Sequence, residues 1–522
     1  MLNSPPSRRF ALTIVLAFSA FACLVVQAAE EPTLPAPLKE DDKQEEPDLP
    51  AGLGANEGAN EEPQLPPGLG RKSDGTDEEP GLPAGLGGDG SEGPDLPSGL
   101  GEDDEVVEET ERKPSLRERL PFDLSGFIEA RYGVRTQEDD HQDENAIMEE
   151  ARLQLGIEKY WGSTRGELTV DFIADEAGHN TFDADLEEGS GWIDLREANV
   201  TFSPTEFMDV RAGRQILTWG TGDFVFLNDL FPKDYESFFI GRDEEYLKAP
   251  SDAVKASFYS APANLDLVYT PRFDSDRFVT GERLSFWNPA LGRRSGDDAV
   301  IEADRPDSWF QDEEWAGRLY RNVSGYELAA YAYRGFWKSP AGTDAGSGLA
   351  TFPELNVYGA SVRGTVGGGV GNVEFAYYDS RDDSGGDDPL VRNSELRFLV
   401  GYEREAAKNL TVGVQYYLVH MLQYGEYSRT LPPGMRRRDE DRQVLTLRLT
   451  QLLMNQNLEL SLFTFYSPTA QEAYFRPSAH YDVTDRWSVE VGGNVFTGEE
   501  AFTRFNQFED NSNVYAGVRY SF

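Results

Sequence analysis

Charged side chains occupy alternate positions in several segments of the sequence, and apolar residues lie between them. The candidate pore-lining residues in this pattern are Glu129, Arg131, Glu150, Arg152, Glu158, Glu167, Asp171, Glu197, Arg211, Glu395, Arg397 and Arg448. Rings of charge at the narrowest point of a pore select solutes by sign. Acidic and basic residues on opposite sides of a pore would also orient a polar solute in a transverse field. The alternative is that opposite charges on neighbouring strands pair with each other and stiffen the wall.

The histidines offer little basis for an enzyme. Barrel lipases and deacylases activate a serine hydroxyl with an imidazole. His420 and His480 lie in strand-like segments, but neither has a serine two positions away in the arrangement that phospholipase barrels use. His141 lies in an acidic loop and could ligate a metal, although such loops are more often simply hydrated. We therefore predict no enzymatic activity, no cofactor and no metal site.

These charged residues belong to segments with the period of a β-strand. From about residue 121 onward, segments of about 8 to 12 residues alternate apolar with polar or small side chains. At the end of the chain, Val514, Ala516, Val518, Tyr520 and Phe522 share one face. A mean hydropathy of −0.54 does not exclude a membrane barrel, because only alternate residues of each strand face lipid. The pattern predicts an all-β, transmembrane antiparallel barrel of about 16 to 18 strands over residues 120–522.

The spacing of aromatic residues and loops supports a barrel over a soluble sandwich. Aromatic residues near segment ends, at 160–161, 331–337, 474–475 and Trp487, are typical of interfacial girdles. Short turns such as 405–409 alternate with long polar loops such as 274–314, and the glycines at 367–369, between two predicted strands, indicate a hairpin turn. Loops 179–191, 221–250 and 274–314 are candidates for constricting the pore, and residues 226–250 are aromatic enough to pack against the inner wall or over the mouth. The acidic loops would favour the passage of cations, or would form a solvated surface that bridges lipopolysaccharide through divalent ions.

Residues 1–28 read as a secretory signal. Arg8 and Arg9 precede an apolar stretch that ends in a small-residue cleavage site at Ala28. Cys23 is the only cysteine and lies within this segment. The mature protein would therefore have no disulfide and no thiolate chemistry.

Residues 29–119 form an acidic arm rich in Pro and Gly that cannot bury a core and is predicted to be disordered. A short Leu-Pro unit recurs in the arm, and its leucines are candidate docking residues: Leu49, Leu53, Leu65, Leu69, Leu82, Leu86, Leu96 and Leu100. Several weak sites on one tether gain affinity through effective concentration. The alternative is a solvated spacer whose regularity reflects duplication. The formal net charge of −45 argues against a nucleic-acid partner.

The last ten residues resemble the C-terminal recognition signal of bacterial outer-membrane barrels, with alternate hydrophobes and a terminal Phe. The segment RAGRQILTWGTGD at 211–223, which follows LREANV at 195–200, is similar to a broad group of porin-like barrels that includes the alginate-export type. The acidic loops depart from what the exit path of an anionic polymer would need.

This resemblance implies an outer-membrane location, with the arm in the periplasm. It also implies outer-membrane lipid, lipopolysaccharide and the barrel-assembly machinery as partners. The expected function is passive passage of hydrophilic solutes or of an exported polymer. The alternative is a barrel-anchored scaffold whose repeats dock a periplasmic protein.

Overall fold

The computed structural model describes residues 120–178, 184–186 and 189–522. The predicted signal segment, the acidic arm with its docking leucines, and His179 lie outside the described residues.

The described chain forms one 18-stranded antiparallel sheet. Numbered along the chain, its strands are β1 (Asp123–Arg135), β2 (Ala146–Trp161), β3 (Thr164–Asp175), β4 (Ile193–Thr205), β5 (Met208–Ile216), β6 (Pro250–Phe258), β7 (Asn264–Thr270), β8 (Glu314–Val323), β9 (Tyr326–Phe336), β10 (Glu354–Val366), β11 (Gly369–Ser380), β12 (Glu395–Ala407), β13 (Leu410–Met421), β14 (Asp441–Leu453), β15 (Leu458–Ser467), β16 (Glu472–Asp482), β17 (Trp487–Gly498) and β18 (Asn513–Ser521).

The sheet closes on itself because β1 pairs with both β2 and β18. Glu129 lies opposite Arg152 on one side and opposite Arg519 on the other. Closure leaves no strand edge without a partner, which a bilayer requires. The prediction of an antiparallel barrel of 16 to 18 strands is confirmed, with 18 strands.

The two rims of the barrel differ in the length of their connections. One rim, the short-turn rim, carries turns such as 162–163, 324–325 and 367–368. Gly367 and Gly368 have φ of 55° and 81°, as the predicted glycine hairpin requires. The other rim, the long-loop rim, carries connections such as 217–249 and 271–313. The first strand begins and the last strand ends at the short-turn rim, because the number of strands is even.

The outer face of the barrel is apolar. Exposed hydrophobic side chains recur at every second strand position, among them Ile128, Leu319, Leu328, Val362, Val373, Phe375, Val400, Val414, Val491, Val514 and Val518. An exposed apolar belt of this extent is stable in lipid and not in water. None of the helices in the described part of the chain has the length and apolar run needed to cross a membrane.

Only some of the predicted girdle aromatics lie on this outer face. Tyr160, Trp161 and Trp487 are 59%, 56% and 48% exposed near the short-turn rim, as predicted. Residues 331–337 and Tyr474 were wrongly predicted as girdle positions. Tyr331, Tyr333, Trp337 and Tyr474 are at most 7% exposed, because they occupy the inward phase of the alternation or a loop folded inward.

Several short elements complete the long connections. They are helices α1 (Tyr235–Ile240) and α2 (Tyr424–Thr430), the 3-10 turns Glu244–Leu247, Met454–Gln456 and Asn506–Asn511, and the short strands Ala184–Asp185, Ser190–Gly191, Phe286–Asn288, Arg293–Ser295, Ala303–Asp304, Gly342–Thr343 and Ala350–Thr351.

Candidate pore constriction

The connection between β5 and β6, residues 217–249, folds into the barrel, and we call it the inner loop. Its aromatic side chains pack on aromatic residues of the wall. The ring centroid of Phe224 lies 4.7 Å from that of Phe463, and Phe239 lies 5.5 Å from Phe496 and 5.7 Å from Tyr474. Aromatic rings in edge-to-face contact bury large apolar areas. The prediction that residues 226–250 pack against the inner wall or over the mouth is confirmed for the wall.

Glu374 of β11 holds the first part of the inner loop. Its carboxylate, in a residue 1% exposed, accepts hydrogen bonds from Thr221 Oγ1 at 2.7 Å and from the Gly222 amide at 2.9 Å. It also accepts from the Thr221 amide and from Asn228 Nδ2, the latter at 2.8 Å. A buried carboxylate needs such donors because an unpaired one would be costly. One wall residue therefore ties down both ends of the segment 221–228.

Ion pairs hold the far part of the inner loop against other strands. Asp243 lies 3.2 Å from Arg519. Glu244 lies 2.9 Å from Arg476 and 3.2 Å from Arg448. The acidic end of the loop thus meets a basic part of the wall.

Between these anchors, α1 is defined at both ends. The Asp234 side chain accepts a hydrogen bond of 2.7 Å from the Ser237 amide, which is an N-cap contact. Gly241 ends the helix with a φ of 93°. A Cβ at this position would lie 2.2 Å from the Tyr515 ring. Glycine is needed here both for its conformation and for its size.

The predicted pore-lining residues all face the interior, and one group of them is covered. Glu129, Arg131, Arg152, Asp171 and Glu395 are at most 5% exposed. Arg152 lies 2.5 Å from Asp171 and 2.7 Å from Glu150. Arg131 lies 3.0 Å from Glu129 and donates to the Gly241 carbonyl at 3.0 Å. These residues pair with each other, and several of them hold the inner loop.

A second group of predicted residues lies toward the short-turn rim and is partly exposed. Arg211 lies 3.0 Å from Glu167 and 2.7 Å from Glu197. Glu158 lies 2.8 Å from Arg165. Opposite charges on neighbouring strands thus pair across the wall, which favours the stiffening alternative. That these residues line a conducting pore remains a prediction.

Two cavities lie on opposite sides of the inner-loop segment 224–230. The lower cavity, of about 850 Å³, is lined by Val370, Tyr402 and Gly413 near the short turns. The upper cavity, of about 200 Å³, is lined by Trp337 and Val419 near the long loops. Three side chains, Phe224, Phe226 and Asp229, line both cavities. These three side chains of the inner loop therefore lie between the two cavities.

The upper cavity is basic. Its cationic lining residues are Lys233, Lys338, Arg392, Arg397, Arg442 and Arg504, against the carboxylates Asp229 and Asp276. This excess of positive charge differs from the preference for cations that the acidic loops suggest. Arg442 lies on the same face of β14 as Arg448, so alternation extended from Arg448 would have found it. Arg392 and Arg504 lie in connections between strands, where alternation does not predict whether a side chain points inward or outward.

The lower cavity has the opposite balance. Its acidic lining residues are Asp223, Asp229, Glu244, Glu245 and Glu403, and its cations are Lys248, Arg363 and Arg448. Burial raises the pKa of Asp223 to about 6, although Arg448, with Nε 3.3 Å from Oδ2, opposes the shift. Asp223 therefore changes charge as the pH falls through about 6, in the cavity wall beside Phe224.

The described histidines have carboxylates as neighbours. His420 Nδ1 lies 2.8 Å from Asp441 Oδ1, and His480 Nε2 lies 3.3 Å from Asp482 Oδ1. His141 Nδ1 lies 3.9 Å from Asp298. In residues 120–178, 184–186 and 189–522, no three His, Cys, Asp or Glu side chains are grouped as metal ligands would be.

No protein-family model matches the sequence, and no curated protein matches it either. Among solved structures, the chain is similar to OccAB4 of Acinetobacter baumannii, with a TM-score of 0.47, 9% identity, and coverage of 76% of this chain and 97% of that chain. It is similar to OccAB1 of the same organism, with a TM-score of 0.45, 11% identity, and coverage of 76% and 95%. It is also similar to the outer membrane channel DcaP of that organism, with a TM-score of 0.37, 11% identity, and coverage of 77% and 97%. Because all three TM-scores lie below 0.5, we base the functional proposal on the residues of this chain alone.

Proposed function

We propose that the protein is an outer-membrane channel through which hydrophilic solutes pass passively, and that the inner loop sets its narrowest point. The observation that carries this proposal is the pair of cavities that share Phe224, Phe226 and Asp229. A barrel of this strand number encloses an aqueous lumen unless loops fold inward. Here one loop folds inward and narrows the lumen, and cavities of about 850 and 200 Å³ remain on its two sides.

The surface of the barrel supports a membrane location for this channel. Its outer face is apolar at alternate positions, while its inner face carries paired charges. An apolar exterior around a polar interior is what a water-filled pore in a bilayer requires. The long-loop rim would face outward and the short-turn rim the periplasm, as the difference in connection length favours.

Cysteine modification during current recording tests the proposal. The only cysteine of the chain, Cys23, lies in the predicted signal segment, so the mature protein has no competing thiol. Arg363 lines the lower cavity, and its neighbour Val362 is 41% exposed on the outer face. A charged, membrane-impermeant thiol reagent should reduce the current of Arg363→Cys in planar bilayers and leave Val362→Cys unchanged. If the purified wild-type barrel carries no current at any voltage, the channel proposal is wrong.

We also propose that the acidic arm docks a periplasmic protein through its repeated leucines. The described chain begins β1 at the short-turn rim, so the preceding residues connect to the barrel on the side assigned to the periplasm. Lipopolysaccharide and the barrel-assembly machinery are proposed as the further partners of the barrel.

A further inference from the structure

We propose that the upper cavity binds a small organic anion with a flat apolar body, such as an aromatic carboxylate, before it passes the inner loop. This inference rests on the proposed channel function and names the class of solute for the same site. It is drawn from two properties of the cavity wall, its aromatic surface and its unbalanced positive charge.

Aromatic side chains form most of the apolar surface of the upper cavity. They include Phe224, Tyr235, Tyr378, Tyr417, Phe465 and Phe505. A wall of this kind favours a planar apolar body over a sugar or a peptide backbone, because aromatic rings gain most from burying flat apolar surface. A volume of about 200 Å³ is smaller than the pockets of roughly 300 Å³ and more that hold drug-sized ligands. The cavity therefore suits a solute of one or two rings.

Four of the six cations in the upper cavity lie within ion-pair distance of three carboxylates of the protein. Lys233 lies 3.0 Å from Asp229, and Lys338 lies 2.6 Å from Glu314. Arg392 and Arg397 share Glu395, at 2.7 Å and 2.9 Å. Carboxylates of the protein therefore compensate most of the positive charge of these four cations before any solute binds.

The remaining two cations, Arg442 and Arg504, lack this compensation. Arg442 has one carboxylate neighbour, Glu472, at 3.7 Å. That carboxylate also accepts hydrogen bonds from the backbone amides of Phe505 and Asn506, at 2.6 Å and 3.2 Å. Among the described residues, Arg504 forms no ion pair with a carboxylate at hydrogen-bond distance. Both guanidinium groups line the same cavity.

The two guanidinium groups line one cavity, and only that of Arg442 has a carboxylate neighbour, so their like charges repel each other. An anion between them would relieve the repulsion and would accept charge-assisted hydrogen bonds from the guanidinium N–H groups. The aromatic rings around Arg442 and Arg504 would then hold the apolar body of the same molecule. Neither a simple inorganic anion nor an uncharged ring would satisfy both parts of the wall.

Arginines at the long-loop rim would guide such an anion inward. Arg436, Arg437 and Arg438 follow each other in the connection between β13 and β14 and are exposed. Arg438 lies close enough to Arg392 to help lower its pKa, although burial is the larger cause. A run of positive charge on an otherwise acidic protein raises the local concentration of anions at the mouth.

Equilibrium binding to the full-length protein in detergent tests the inference. The probe is 2-naphthoate, with 2-naphthalenemethanol as the uncharged analogue of the same shape and acetate as the charged group without a ring. We expect naphthoate to bind at least 10-fold more tightly than either comparator. Equal affinity for naphthoate and naphthalenemethanol, or for naphthoate and acetate, would overturn the inference.

Two variants with the same change in charge locate the site. Arg504→Gln removes an uncompensated cation of the cavity and should weaken naphthoate binding at least 5-fold. Arg486→Gln, exposed in the turn between β16 and β17 at the short-turn rim and outside the cavity lining, should change it less than 2-fold. An unchanged affinity in Arg504→Gln, with native mobility on semi-native gels, would show that the anion does not bind here. If Arg504→Gln loses native mobility, the wild-type channel is tested instead. Naphthoate added on the long-loop side should block its current, and absence of block counts against the site.

The binding and current measurements separate the two proposals. If the channel conducts but does not bind naphthoate, the proposed function stands and this inference is wrong. If the protein binds naphthoate but carries no current, the binding site in the upper cavity stands and the channel proposal is wrong.

Discussion

Removal of the Glu374 side chain should release the first half of the inner loop and widen the channel. In the wild-type protein this one carboxylate accepts from Thr221, Gly222 and Asn228. Glu374→Ala leaves these donors facing an apolar methyl group inside the barrel. The far half of the loop, held by Asp243 and Glu244, should stay in place.

The size of the effect follows from the number and kind of lost contacts. A hydrogen bond to a charged group contributes about 1.5 to 3 kcal/mol. The four bonds share one carboxylate and are not additive, so we expect a loss of about 3 to 5 kcal/mol, as when one partner of a buried ion pair is removed. At about 1.4 kcal/mol for each factor of ten, the population of the undocked loop should rise by roughly 100-fold or more.

Single-channel recording measures this change directly. We expect Glu374→Ala to show a second, larger conductance level or increased open-channel noise at the same voltage. The matched control is Glu327→Ala, which removes a wall carboxylate that lies 2.6 Å from Arg318 and has no contact with the inner loop. The control should keep the wild-type conductance.

One result would refute the reasoning about the constriction. If folded Glu374→Ala has the conductance and noise of the wild type, segment 221–228 does not limit the current. A folded barrel is recognised by its mobility on semi-native gels, so a folding defect is not mistaken for this result.

Four further predictions follow from particular residues. The wild-type channel should become less cation-selective as the pH falls through about 6, because Asp223 gains a proton and loses its negative charge. The reversal potential in a salt gradient measures this change, and a change that persists in Asp223→Asn would belong to another group. Gly348→Ala, at a φ of 79° with open space around it, should lower the free energy of unfolding by about 1 to 2 kcal/mol, the cost of a Cβ in the left-handed region. Gly241→Ala, at a φ of 93°, bears the same cost and about 1 to 3 kcal/mol more, since its Cβ would meet Tyr515 at 2.2 Å, and the guanidinium midpoint of unfolding measures the difference. A peptide of residues 30–111 should capture a periplasmic protein that its leucine-to-serine version does not, and equal recovery by both would leave the arm a spacer. Intact mass of the mature protein should place its first residue at 29, and a retained N-terminal segment would contradict the signal prediction.

Some features could be predicted from the sequence because they depend on strand periodicity. Alternation assigns a side chain to the lumen or to lipid as soon as its strand is recognised, so Glu129, Arg131 and Arg152 were correctly predicted to face the interior. A different rule, that aromatic residues near strand ends lie at the membrane interface, is wrong at Tyr331 and Tyr474. Their phase in the strand, and not their position along it, decides which side they face.

The sequence by itself determined the fold class, the glycine hairpin at Gly367 and the inward charges, since each depends on a period of two or on a local backbone requirement. Only the tertiary structure decided what fills the barrel. Glu374 meets Thr221 from 153 positions away in the chain, and Arg442 of β14 lines one cavity with Arg504 of the connection between β17 and β18. No local pattern encodes such contacts, because they exist only once the sheet has closed and the inner loop has found the aromatic wall.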